Sequence, residues 1–144
     1  MNTLTNCVLI NATIEEDVTL RHFTNLYGCT IKRGTKIGAF TEIGAGVTVG
    51  NDCKIGAYVF IPPGITIGNE VFIGPGVVFT NDKHPKATGN WECLTTVVGD
   101  GASIGAGSII MPGITIGVDA VIGAGTLVLR DVAPGEIYVN RRLK

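Results

Sequence analysis

The sequence predicts an all-β fold, a single stack of three-sided turns, and three observations point to it. Triplets of the form small-x-aliphatic recur every six residues over most of the 144-residue chain. Within each triplet the outer residues are small or β-branched and the middle one varies, the alternation of a short strand with one face buried. Between triplets lie turn segments such as "GAG", "GND", "PPG", "GNE" and "MPG", and glycine reaches 21 of 144 residues against a usual share of about 7%.

The elements follow in order. "ATI" at 12, "VTL" at 18 and "TNL" at 24 open the series, and "CTI" at 29 arrives one residue early, so the corner at Tyr27 and Gly28 is short. From "TKI" at 35 the period holds without exception to "VVF" at 77. It breaks there and resumes with "TVV" at 96, ending on "TLV" at 126. These 18 triplets make about six coils of three strands and three corners. A three-residue strand cannot bury a core alone, so each must stack on copies of itself at about 4.8 Å, which gives a triangular prism roughly 30 Å long. The chain reads as one repeat domain, 1–144, with one long external loop at 80–95 and a short C-terminal tail at 131–144.

Composition removes several functions. A net charge of −1 offers no electrostatic footprint for nucleic acid. No run approaches the roughly 18 apolar residues of a membrane span, and "MNTLTNCVLI" lacks the regions of a signal peptide, so a cytoplasmic location is expected, with no membrane partner. Cys7, Cys29, Cys53 and Cys93 lie far apart without a C-x-x-C pair, which predicts buried free thiols rather than a zinc or redox motif. The chain holds two histidines in all, too few for a three-histidine zinc site, so no metal is expected.

Threading the middle residues onto the prism gives three faces. One reads Thr13, Thr30, Thr48, Thr66, Val97, Thr115; the second reads Thr19, Lys36, Lys54, Phe72, Ser103, Val121; the third reads Asn25, Glu42, Phe60, Val78, Ile109, Leu127. The threonine column is single and interrupted, so β-propensity explains it better than ordering of ice does. The third face turns apolar halfway up, and Phe60, Val78, Ile109 and Leu127 are expected to be buried between subunits. The loop leaves from the edge of that face. Sixteen residues separate Phe79 from Thr96 where three would do, and loops of that length in a compact repeat usually carry function.

The repeat resembles the hexapeptide family of left-handed parallel β-helices across nearly the whole chain, and the left hand is implied by that resemblance alone. Within the loop, "FTNDKHPKA…W…TTVVGDGASIGAGSII" together with "RHFTNL" upstream is similar to the nucleotide-amino-sugar N-acetyltransferases of this family. The pair His84-Pro85 is similar to the loop of the galactoside and maltose O-acetyltransferases, where the histidine before proline is the base. The resemblance implies a homotrimer that moves an acetyl group from acetyl-CoA to the amine of a nucleotide-linked sugar. O-acetylation and a noncatalytic scaffold stay open as alternatives.

That chemistry asks for a proton acceptor and for donors to the developing oxyanion. Histidine suits the first role, which falls to His84, with Asn81 and Asp82 expected to orient it or the sugar amine. Lys83, Trp91 and the corner residue His22, beside Phe23, Phe40 and Tyr58, are the expected substrate contacts. A backbone N–H in the corner Gly105 to Gly107 is the expected oxyanion donor. The coenzyme is expected along Gly105, Ala106, Gly107, Ala124 and Gly125, with Arg130, Arg141 and Arg142 on its phosphates.

Overall fold

The computed structural model describes residues 6–140. These residues form twenty short strands, all paired in parallel, in three sheets, and no helix is present among them. The apolar face has seven strands, from Val8–Ile10 through Phe60–Ile61, Val78–Phe79 and Ile109–Ile110 to Leu127–Val128. The threonine face has six, from Thr13–Ile14 to Thr115–Ile116, and the lysine face has seven, from Thr19–Leu20 to Ile137–Tyr138. The register stacks each triplet on its predicted neighbour: Phe60 pairs with Val78, Val78 with Ile109, and Ile109 with Leu127.

Stacking follows from what each strand must bury. Leu26, Ile43, Ile61, Phe79, Ile110 and Val128 lie one above another inside the apolar face and are inaccessible to solvent. Each such side chain contributes about 1.5–3 kcal/mol by leaving water. At the corners, small polar residues replace water for the inward backbone: Thr35 Oγ1 donates to Gly50 O at 2.7 Å and accepts from the Cys53 N–H at 3.0 Å. Ser108 does the same between Gly123 O and the Thr126 N–H. Gly38 is needed for a different reason, since a Cβ there would sit 2.5 Å from the Ala57 nitrogen in the coil above.

Two strands were not foreseen, and the stack is nearer seven turns than six. Val8–Ile10 pairs with Asn25–Tyr27 in a turn of 17 residues, a second short corner that takes "CVLI" out of the six-residue phase. Ile137–Tyr138 pairs with Val121–Ile122, beyond an irregular stretch that hides it from the period. The segment set apart as a tail therefore finishes the stack as far as residue 140. Asp131 Oδ1 accepts the Thr115 N–H at 2.9 Å, Val132 bridges Ile116, and Asn140 both accepts from the Leu127 N–H and donates to its carbonyl. These contacts occupy backbone groups that the top edges would otherwise leave open to another chain.

Candidate functional site

Val78 pairs with Ile109 across 31 residues, whereas Phe60 and Val78 are separated by 18, so the loop inserts thirteen residues at the corner joining the apolar and threonine faces. Its ends are tied down. The Leu94 N–H donates to Asn81 O at 2.9 Å, and Asn81 Nδ2 donates to Pro63 O at 2.8 Å. Gly64 lies directly beneath with φ +98°, and a Cβ on it would meet Cys93 Sγ and Leu94 O at 2.9 Å. Asn81 is thus a clamp on the loop base rather than an orienting group for the histidine.

Above the clamp the loop folds over a concavity of about 410 Å³ lined by Asp82, Lys83, His84, Asn90, Trp91, Glu92 and Leu94. Asp82 Oδ1 accepts the backbone N–H of His84 at 3.0 Å, which sets the loop's bend but leaves the imidazole with no partner among the described residues. Trp91 is exposed and borders a second concavity on the other side, with Asn81 and Lys86. The structure therefore brings His84, Asp82, Lys83 and Trp91 to one hollow.

The expected coenzyme residues lie at a different corner, between the lysine and apolar faces. There Gly107 and Gly125 adopt φ +71° and +65°, and a Cβ on either would meet nothing within 4 Å. They form a bare shelf beside the exposed Ala106 and Ala124. The amides of the flanking glycines are consumed inside the coil: Gly105 N–H donates to Ile122 O at 2.8 Å and Gly107 N–H to Pro75 O at 2.9 Å. Neither can serve an oxyanion, which corrects the broader expectation. Among the described residues the N–H groups of Ala106 and, one coil up, Ala124 have no partner at that corner, a distinction that spacing alone does not show.

Arg130 also departs from expectation. Its guanidinium donates to both carboxylate oxygens of Glu136, at 3.2 and 2.8 Å, and to Asp131 O, and it lies 4.8 Å from the centre of the Tyr138 ring. A group held this way staples the last turn rather than waiting for phosphate. The Arg130 hydrogen bonds, with help from the Ala133 N–H, hold the Glu136 carboxyl at about 2, well below its ordinary 4.5. Arg141 and Arg142 lie outside the described residues.

His22 sits four coils below the shelf's first glycine, on the shelf corner, with its ring 6.0 Å from Phe23. Its carbonyl accepts the Phe40 N–H. Within one chain it is on the opposite edge of the apolar face from His84, so the structure does not bring the two together. No group of three metal-ligating side chains occurs among the described residues, and no helix of theirs is long and apolar enough to cross a membrane.

The model of the bacterial transferase hexapeptide, six repeats, matches residues 46–81 and 95–130, and that of the hexapeptide repeat of succinyl-transferase matches 28–63. No curated protein matches the chain by sequence. Among solved structures, the GDP-perosamine N-acetyltransferase of Caulobacter crescentus, in complex with CoA and GDP-perosamine, is 23% identical over 90% of this chain, with a TM-score of 0.60. The N-acyltransferase AntD of Bacillus cereus, in complex with dTDP and coenzyme A, is 15% identical over 90% of the chain at 0.64, and covers 78% of that protein. The acetyltransferase domain of PglB from Neisseria gonorrhoeae is 17% identical over 90% at 0.57. The chain spans 52% of the Caulobacter and of the Neisseria proteins. These likenesses are of fold, and the repeat itself settles the family: the chain belongs to the bacterial hexapeptide-repeat transferases.

Proposed function

We propose that the chain is an acetyl-CoA-dependent acetyltransferase acting on the amino group of a nucleotide-linked amino sugar, and that it works as a homotrimer. One observation carries the reading. The loop with its unpartnered His84 and the bare shelf at Gly107 and Gly125 stand on the two edges of one face, whose exposed residues Phe60, Ile109 and Leu127 continue in register with Val78. If that face packs against neighbouring chains around a threefold axis, the loop of one protomer faces the shelf of the next. The apolar column, which would be an unusual surface to leave in water, is then covered.

Acetyl-CoA would supply the acetyl group as a thioester. The shelf suits its narrow pantetheine arm, because no side chain stands in the way at Gly107 or Gly125. The Ala106 N–H would donate to the carbonyl oxygen as charge develops there. His84 would take the proton that the amine sheds on attack. Trp91 and Lys83 would form the walls that position the sugar. The pair His84-Pro85 favours transfer to a hydroxyl as a second reading, since a hydroxyl needs a base more than a free amine does. The cysteines are spaced without a C-x-x-C pair, as suits an intracellular protein, and we place the enzyme in the cytoplasm.

Thermal shift with acetyl-CoA, CoA and buffer tests the reading first, because ligand at 100 times its dissociation constant adds about 2.7 kcal/mol to stability. A rise with both thioester and thiol is expected, followed by acetyl transfer to at least one member of a panel of nucleotide-linked amino sugars. No stabilisation by either would leave the coil a noncatalytic scaffold.

A further inference from the structure

Two stretches of the lower coils repeat each other, "KIGAF" at 36–40 and "KIGAY" at 54–58, and the fold sets them directly one above the other. Lys36 pairs with Lys54 on the lysine face, with Thr19 beneath. Like charges opposite one another weaken a sheet. Neither lysine side chain has a hydrogen bond or ion pair among the described residues, nor has the Arg21 guanidinium, which joins them along a cleft of about 220 Å³ floored by Gly38 and Gly56.

Four residues after each lysine, the same repeats place an aromatic ring on the adjoining corner. Phe23, Phe40 and Tyr58 stack with ring centres 5.1 and 5.0 Å apart, the upper pair within 7° of parallel. All three rings are exposed, Tyr58 to 64%, and all three residues hold φ near +60°. That conformation is unfavourable for bulky side chains, and the other non-glycine residues in it are Asn6, Asn11, Asp17, Asp52, Asp119 and Glu70. Above Tyr58 the column continues as Gly76, which has no side chain to cover the upper face of the ring. Three unpaired cations and three stacked exposed rings thus share the same three coils, and neither set is explained by the stability of the coil.

We propose that this cleft and ring stack form a subsite for a nucleoside diphosphate, with Arg21, Lys36 and Lys54 on the two phosphates and the base against the free face of Tyr58. The subsite rests on the acetyltransferase reading and belongs to the acceptor. Its cations span about two strand spacings, suited to a pyrophosphate, and the cleft holds no fourth cation for the additional phosphate of coenzyme A. Phosphate recognition by lysine and arginine together with base stacking on aromatic rings is the general chemistry of such sites.

Titration calorimetry on the full chain, with UDP, GDP, dTDP, inorganic pyrophosphate and CoA as separate probes, tests it. One or more of the three nucleoside diphosphates is expected to bind. The double variant Lys36→Gln/Lys54→Gln should weaken it by at least about tenfold, the loss of one charge-assisted contact or more. Tyr58→Leu should weaken it by about fivefold or more through lost stacking while leaving pyrophosphate unaffected. CoA should bind all three proteins alike. Absence of nucleoside diphosphate binding to the unaltered chain, equal binding by the variants, or a parallel loss of CoA affinity would each overturn the assignment. So would dissociation of the oligomer by the lysine variant, which would give the cleft to an acidic partner surface such as Glu42 of another copy. Acetyl transfer with an unchanged acceptor KM in the lysine variant defeats the subsite and leaves the acetyltransferase standing; nucleotide binding here without any transfer does the reverse.

Discussion

Asn81 and His84 are three residues apart in one loop, and the structure gives them opposite jobs, so substituting each to alanine should separate stability from chemistry. Asn81→Ala removes a 2.8 Å bond to Pro63 O and leaves that half-buried carbonyl with only the weak Cys93 thiol donor, 3.4 Å away, at the point where the loop closes. A net hydrogen bond is worth about 0.5–1.5 kcal/mol, and with a weak donor still in place the cost is set at about 1 kcal/mol. For a domain of this size that is a fall in Tm of about 2–4 °C. His84→Ala removes an exposed ring without a partner, so Tm should stay within about 1 °C, a surface change of under about 0.5 kcal/mol. Its turnover, however, should fall by about 10²–10⁴, the usual contribution of a positioned base. The assay pairs a melting curve with initial rates at saturating acetyl-CoA. A His84→Ala enzyme with undiminished kcat, or an Asn81→Ala enzyme as stable as the parent, would refute this division of labour.

The remaining predictions concern the coil. Phe79→Ala empties the largest fully buried position among the described residues and should cost about 3–5 kcal/mol, read as a large loss of Tm or as failure to accumulate folded protein. Thr96→Val should be neutral or stabilising, because the Thr96 hydroxyl is buried with no hydrogen-bond partner, and a chemical denaturation midpoint that drops would contradict that. Glu136, held at about 2 by Arg130, contributes stability that is present above its ordinary 4.5 and is lost as pH falls towards 2. Between pH 5 and pH 3 the parent should therefore lose more Tm than Glu136→Gln does, and parallel losses would show the pair to be idle. Ile109→Asp, in the middle of the apolar column, should reduce the sedimenting mass to that of one chain while the circular dichroism stays that of β-structure.

Most of the coil was legible because a six-residue period leaves little freedom. Each triplet has two outer side chains to bury and one middle residue to expose, and eighteen copies of that requirement fix the faces, the register and the place of the inserted loop. Val8–Ile10 escaped because a corner one residue short shifts it out of phase, and Ile137–Tyr138 because Asp131 to Glu136 spend their polar groups on caps and a staple rather than on repeats. The site was legible by residue type but not by role. A histidine in a long loop marks chemistry, yet only geometry shows that Asn81 spends its amide on Pro63, that Arg130 is claimed by Glu136, and that Ala106 rather than its glycine neighbours has an amide to offer. The ring stack was visible as Phe23, Phe40 and Tyr58 around a corner, but its partnership with Lys36 and Lys54 depends on a register that brings "KIGAF" and "KIGAY" together.

Loop and shelf lie on opposite edges of one face, so the account requires that each working site borrow from two chains. Mixing two inactive parents tests this directly: His84→Ala, and Gly107→Phe, which fills the shelf in a column where Phe23 and Phe40 already hold the same backbone conformation. Co-assembled at equal amounts, they should regain about a quarter of the unaltered activity, since random placement in a head-to-tail ring pairs one intact loop with one intact shelf at about that frequency. A co-assembled mixture that stays as inactive as its parents would show that loop and shelf serve the same chain, or do not meet at all.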